Sequence, residues 1–377
     1  MSRYAFPVIA CLALSAAVLP APAQRWKIQY FYDQQKTSLT INDFAFPSAQ
    51  YGIAVGYIAE GKREEPMSVI TSDGGGHWQL VPLKETPISL FFLDDSIGWM
   101  VTVKGLWRTT EAGKNWTKLP KVPGEILRVC FSTPKDGIAV GVKKLVLTTH
   151  DGGETWAPVA AAADQPGDPL YSAYMWVGFA TPKMALAVGT NNPPRRFAPL
   201  FPDWLDPQAT LRMHDVPHLS YSLATNDGGK TWRPGNGSFF GQTSRFRLSP
   251  DGKGLGLVEY SELSDLPSEV YQLDWRTGRS VSVYKDNKVG ISDIWLEPDG
   301  TAYLAGIEEP GRVRDIIPSK VVVFTSRDYQ TWQSMPVDYR ATGLRTMLAI
   351  PDSQHQWMAT DNGMILRLVQ ESAPNAK

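Results

Sequence analysis

The chain has 377 residues, 43% hydrophobic and 20% charged, the balance of a soluble globular protein and not of a disordered one. Its 37 Lys and Arg against 38 Asp and Glu leave a formal net charge of −1, so no bulk positive charge draws it to nucleic acid or an anionic membrane. With only Cys11 and Cys130, a thiolate metal cluster is excluded.

Residues 1–23 read as a signal peptide. Arg3 precedes an apolar run from Ala5 to Leu19, and Ala21-Pro22-Ala23 has the small-x-small form of a cleavage site, predicting release after Ala23. Val8-Ile9-Ala10-Cys11 has the form of a lipobox, but few apolar residues precede Cys11 and the run continues past it. The run is short for a membrane span, and no other segment approaches the ~20 apolar residues a span needs. A soluble, exported, periplasmic or extracellular protein is expected. Cleavage would leave Cys130 alone in "LRVCF", the setting of a small core residue.

From residue 24 to 370 one pattern recurs: an apolar anchor, five residues, Gly or Ala (Gln356 in the last copy), then an apolar run. It appears from Phe46 (FPSAQYGIAVG), Phe92, Phe131 (FSTPKDGIAVG), Phe179, Leu248, Leu296 and Ile350. Each copy reads as strand, polar turn, strand. In most, a third strand follows and then a turn ending in Trp: TSDGGGHW (71–78), TTEAGKNW (109–116), THDGGETW (149–156), TNDGGKTW (225–232) and the degraded SRDYQTW (326–332). Units of about 40 or more residues built of four short strands predict an all-β, seven-bladed β-propeller with four-stranded antiparallel blades. The seventh copy runs out after three strands, and RWKIQYF (25–31) is predicted to supply the fourth, removing the open edges. Residues 371–377 are expected to be a disordered tail, and the protein a monomer.

The carboxylates of the recurring turns look catalytic but belong to different blades, so they cannot converge on one substrate. Their expected role is to accept turn N–H groups, while the glycines allow positive φ and the Trp packs on its own turn. This turn, Ser/Thr-x-Asp-x-Gly-x-x-Trp, is the Asp-box, and the chain resembles Asp-box (BNR) propellers, a group that includes sialidases and related glycosidases. Combined with the GIAVG strands, it looks most like the photosystem II stability and assembly factor family of plants and cyanobacteria and its bacterial relatives. The resemblance implies a non-catalytic, protein-binding assembly or stability factor, without a cofactor. Its motifs are those of the scaffold, and folds host many functions.

Candidate site residues fall in two places. Long insertions are expected on the face opposite the Asp-box turns: YIAEGKREEPMSV in blade 1, residues 190–220 in blade 4 and IEEPGRVRDIIPSK in blade 6. The blade 4 insertion carries Arg195, Arg196, Phe197, Phe201, Trp204 and Arg212, a set suited to clasping a protein partner. It also holds His214 and His218, whose helical spacing Pro217 opposes, so no metal is expected there. The second place is the start of the innermost strands. Three residues before each anchor stand Asp43, Ser89, Arg128, Trp176, Arg245, Asp293 and Met347, a ring at the channel mouth that is either salt-bridged scaffold or a ligand reader.

The enzymatic alternative is a glycoside hydrolase or carbohydrate-binding propeller. A sialidase-like enzyme would recruit Arg128, Arg245 and Arg345 for a substrate carboxylate and Glu259-Tyr260 as the nucleophile pair, although neighbours on a strand point to opposite faces. Hydrolysis by two carboxylates would use Asp43 and Asp293.

Overall fold

The computed structural model describes residues 24–193, 217–260, 264, 266–308, 318–337, 339–341 and 343–370. Residues 1–23, read as a signal peptide, residues 371–377, read as a tail, residues 309–317 of the blade 6 insertion, and the part of the blade 4 insertion carrying Arg195, Arg196, Phe197, Phe201, Trp204, Arg212 and His214 lie outside the described residues.

Seven antiparallel sheets, each built on four strands and six of them in sequence order from the inside out, form a seven-bladed propeller. Blade 1 is Ser38–Ala45, Gly52–Glu60, Arg63–Thr71 and Gln79–Pro82. Its second and third strands run on to a tight turn, pairing down to Glu60 with Arg63, so the segment expected as a long loop is a tall hairpin. Blade 4 is Ser172–Thr181, Met184–Asn191, His218–Thr225 and Arg233–Phe239; blade 5 is Gln242–Leu248, Lys253–Glu259, Ser268–Asp274 and Arg279–Asp286. In blade 7, Gln24–Phe31 pairs antiparallel with Met364–Gln370 outside the two strands Thr346–Asp352 and His355–Thr360. A single four-residue α-helix, Ala160–Ala163, stands among the described residues.

The repeat follows from two close approaches. The anchor ring lies flat on the glycine six residues on: a Cβ at Gly52, Gly98 or Gly137 would sit 2.2, 2.8 or 2.5 Å from a ring carbon of Phe46, Phe92 or Phe131. The glycine ending GIAVG faces a β-bulge in the innermost strand, where a Cβ at Gly56 or Gly141 would meet the carbonyl oxygen of Thr40 at 1.8 Å or Glu125 at 2.0 Å. The bulge tightens the strand's twist and re-aims the residue after it.

Each seam between consecutive blades holds its own hydrophobic cluster. The residues two before each anchor, Phe44, Leu90, Val129, Val177, Phe246, Ile294 and Leu348, are all buried and face the preceding blade, as alternation along a strand requires. Cys130 belongs to the seam between blades 3 and 4, and burial pushes its thiol up to about 11. It is core, not nucleophile.

The Asp-box turns are scaffold in atomic detail. In blade 3, Thr149 Oγ1 donates to Asp151 Oδ1 (2.8 Å) and accepts from Gly153 N (3.0 Å), Thr155 N donates to Asp151 Oδ1 (2.9 Å), and Trp156 Nε1 donates to the Gly153 carbonyl (3.0 Å). Blade 4 repeats this with Thr225, Asp227, Gly229, Thr231 and Trp232. Such bonds favour the ionised carboxylate: Thr231 holds Asp227 down to about 2, Thr331 and Gln330 hold Asp328 down to about 2, and Asp73 and Asp151 lie lower still. A carboxylate depressed from 3.8 adds stability that is fully present above that value and is lost as pH falls through the folded value. The melting temperature should therefore drop between about pH 4 and 2, and the drop should be shallower in a variant with all four aspartates changed to Asn. Parallel profiles would show that the turn carboxylates do not couple to folding.

Candidate functional site

The innermost strands line a central channel, and the bulge in six of them delivers the following residue to its wall. Asp43 and Asp293 are buried there and play the same part in different blades. Asp43 Oδ1 accepts Phe44 N (3.0 Å) and its Oδ2 accepts Leu90 N of blade 2 (2.9 Å). Asp293 Oδ1 accepts Ile294 N (2.9 Å) and its Oδ2 accepts Leu348 N of blade 7 (2.8 Å). Each carboxylate thus latches its blade to the next through an amide that would otherwise be buried without a partner. Ser89 does likewise, donating to the Leu127 carbonyl of blade 3 at 2.7 Å, and Ser292 Oγ accepts Thr346 N of blade 7 at 2.8 Å.

The arginines balance these charges. Arg128 Nη2 lies 3.7 Å from Asp43 Oδ2, and Asp293 Oδ1 has Arg245 Nε at 3.8 Å and Arg247 Nη2 at 3.6 Å. These are ion pairs longer than hydrogen bonds. Burial pushes the guanidinium pKa values of Arg128 and Arg247 down, the aspartates pull them back, and the neighbouring arginines oppose that pull. Arg247, not singled out from sequence, also lies over Trp295 of blade 6, 4.5 Å from its ring centroid. Its signal was its place two residues from Arg245 in SRFRL, since alternate residues of a strand share a face.

The remaining candidates separate. Arg345 leaves the channel arginines and pairs with Glu259 at 3.7 Å. Tyr260 donates to Glu269 at 2.7 Å, as does Tyr271, so the sequence neighbours Glu259 and Tyr260 do not form a pair. Burial and the Glu269 carboxylate push the Tyr260 phenol far up, the opposite of an activated nucleophile. His218 is half-buried at the start of a strand. Among the described residues no three His, Cys, Asp or Glu gather as a metal site, and no helix is long and apolar enough to cross a membrane.

No protein-family model matches the chain. A curated relative, the photosystem II assembly lipoprotein Ycf48 of Synechococcus sp. (strain CC9902), is 33% identical over 132 residues, which span 32% of this chain and 37% of that protein. Two solved structures share the fold along nearly their whole lengths: Ycf48 bound to D1 peptide (17% identity, TM-score 0.59, 95% of this chain and 99% of that one) and Ycf48 from Cyanidioschyzon merolae (16%, 0.55, 91% and 98%). The WD40 propeller domain of Doa1 is comparably similar at 9% identity and a TM-score of 0.56, over 93% of this chain and 99% of that one, so these likenesses speak to fold. Sequence and architecture together make this a seven-bladed propeller resembling the photosystem II assembly factors.

Proposed function

We propose that the protein is an exported, non-catalytic propeller that holds a protein partner, as an assembly or stability factor does. The observation that carries this reading is the commitment of Asp43 and Asp293. Both oxygens of each carboxylate accept backbone amides, one from the next residue of its own strand and one from the neighbouring blade, a commitment that suits a latch rather than a nucleophile, acid or base. The similar Ycf48 fold with a D1 peptide bound supports a protein ligand, and the assembly lipoprotein matched in sequence supports an exported one. The client of this chain is to be found by its own chemistry.

The proposed contact surface includes the blade 4 insertion with Arg195, Arg196, Phe197, Phe201, Trp204 and Arg212, because Arg and Trp dominate interface hot spots. Charge reversal at Arg195 and Arg196 together with Trp204→Ala should weaken capture of the partner from the native envelope fraction by about 10-fold or more, at unchanged melting temperature. Full retention of the partner would remove the insertion from the contact. A panel of fluorogenic glycosides should give no turnover; hydrolysis abolished by Asp293→Asn would overturn the non-catalytic reading.

A further inference from the structure

Among the described residues, six of the seven seams are filled by a tryptophan from a blade's outer part. Trp78 packs against Tyr30 and Phe46 between blades 7 and 1, and Trp116 against the cluster between blades 1 and 2. Trp156 and Trp232 do the same for the next two seams, Trp332 donates to the Val283 carbonyl of blade 5 (2.8 Å), and Trp26, fully buried, fills the seam between blades 6 and 7. Blade 5 breaks the pattern. Its turn is a tight hairpin, LDWRTGR, in which Asp274 Oδ1 accepts Arg276 N (3.1 Å) and Thr277 N (3.0 Å), and Trp275 stays at the rim, bonded to the Lys253 carbonyl at 3.2 Å.

The seam between blades 4 and 5 accordingly has a small cluster of four buried apolar residues, Trp176, Leu186, Val188 and Phe246, and opens outside them into a groove of about 840 Å³. That volume is within the range of ligand pockets, roughly 300–1,000 Å³. One wall is aromatic and rigid, because Tyr260 and Tyr271 both donate to the same Glu269 carboxylate. Ser220 and Thr243 are among the residues lining the groove, and their hydroxyls, shut off from solvent, have no hydrogen-bond partner, an arrangement that costs stability. The exposed Arg233, Arg276 and Arg279 stand at the outer rim, while the carboxylates of Asp274 and Glu269 are occupied by their own turn and by hydroxyls.

We propose that this groove binds a large aromatic side chain carried on an acidic peptide segment of the partner. The aromatic side chain follows from the fold itself, since an indole occupies the corresponding place in the other six seams. The acidic flanks follow from the three guanidinium groups at the rim. This assignment rests on the protein-binding reading and names where and what the partner contributes.

The test uses the full chain and a labelled peptide, acetyl-Glu-Asp-Trp-Asp-Glu-amide, followed by fluorescence anisotropy. Saturable binding is expected, at least about 10-fold weaker when the peptide Trp is Ala or when its acids are Lys. Ser222 lines the groove, so Ser222→Trp builds an indole into it and should abolish binding with the melting temperature kept or raised. Phe240→Ala, at a residue 50% exposed on the groove wall and therefore safe for folding, should weaken binding about 5-fold or more. Equal affinity for the Trp and Ala peptides, or full binding by Ser222→Trp, would overturn the proposal. So would binding that appears only when residues 194–216 are replaced by a Gly-Ser linker, which would make the chain's own insertion the occupant. Undiminished capture of an envelope partner by Ser222→Trp would sink the groove assignment and leave the protein-binding reading standing; peptide binding as expected with no partner ever captured would do the reverse.

Discussion

Removing residues 24–33 is expected to give a chain that aggregates on expression, and Trp26→Ala alone is expected to cost about 3–5 kcal/mol, the range for truncating a fully buried large aromatic. Trp26 is completely buried among Val321, Val323 and Met335 of blade 6 and Leu366 and Leu368 of blade 7. It is therefore the wedge that joins the two ends of the chain. Its strand pairs from Gln24 with Gln370 to Phe31 with Met364, and without it the third strand of blade 7 becomes an open edge. The measurement is chemical denaturation of the point variant beside the fraction of soluble monomer of the truncated one. A soluble truncated monomer with the full melting temperature would show that the ring does not depend on this closure.

Asp293→Ala should cost a similar amount, about 3–5 kcal/mol, because it leaves two partly buried guanidinium groups without their counter-charge and two buried amides without their acceptor. The amides are Ile294 N and Leu348 N, and the cations Arg245 and Arg247. Asp293→Asn retains an acceptor but not the charge, so it should fall between Ala and the wild type. Changing Arg245 and Arg247 to Met in the Asp293→Ala background should recover part of the loss, since the charges are then removed together. If Asp293→Ala instead keeps wild-type stability and loses binding, the channel carboxylate is a ligand reader and not a latch.

Sequence alone determined the seven repeats, the four-strand unit and the structural role of Asp73, Asp151, Asp227 and Asp328. These are local matters: an Asp-box closes its bonds within about eight residues, and the Phe-to-Gly contact spans six, so both leave a pattern that can be counted along the chain. The tall hairpin of blade 1 was misread as a loop because its polar, charged residues suit an exposed strand as well as a turn, and only the pairing of Glu60 with Arg63 separates the two. The residues of the channel were visible as a set of Asp and Arg, but not their partners. That Asp43 latches to Leu90 and Asp293 to Leu348, 47 and 55 residues away, depends on how blades stack around the ring. Strand alternation already set Tyr260 apart from Glu259, but its actual partner, Glu269 on the next strand, is given only by the pairing of the two strands. The groove is the clearest case. The missing Asp-box of blade 5 is plain in LDWRTGR, yet what its absence leaves, an unfilled seam with two unpartnered hydroxyls and an arginine rim, exists only once blades 4 and 5 are set side by side.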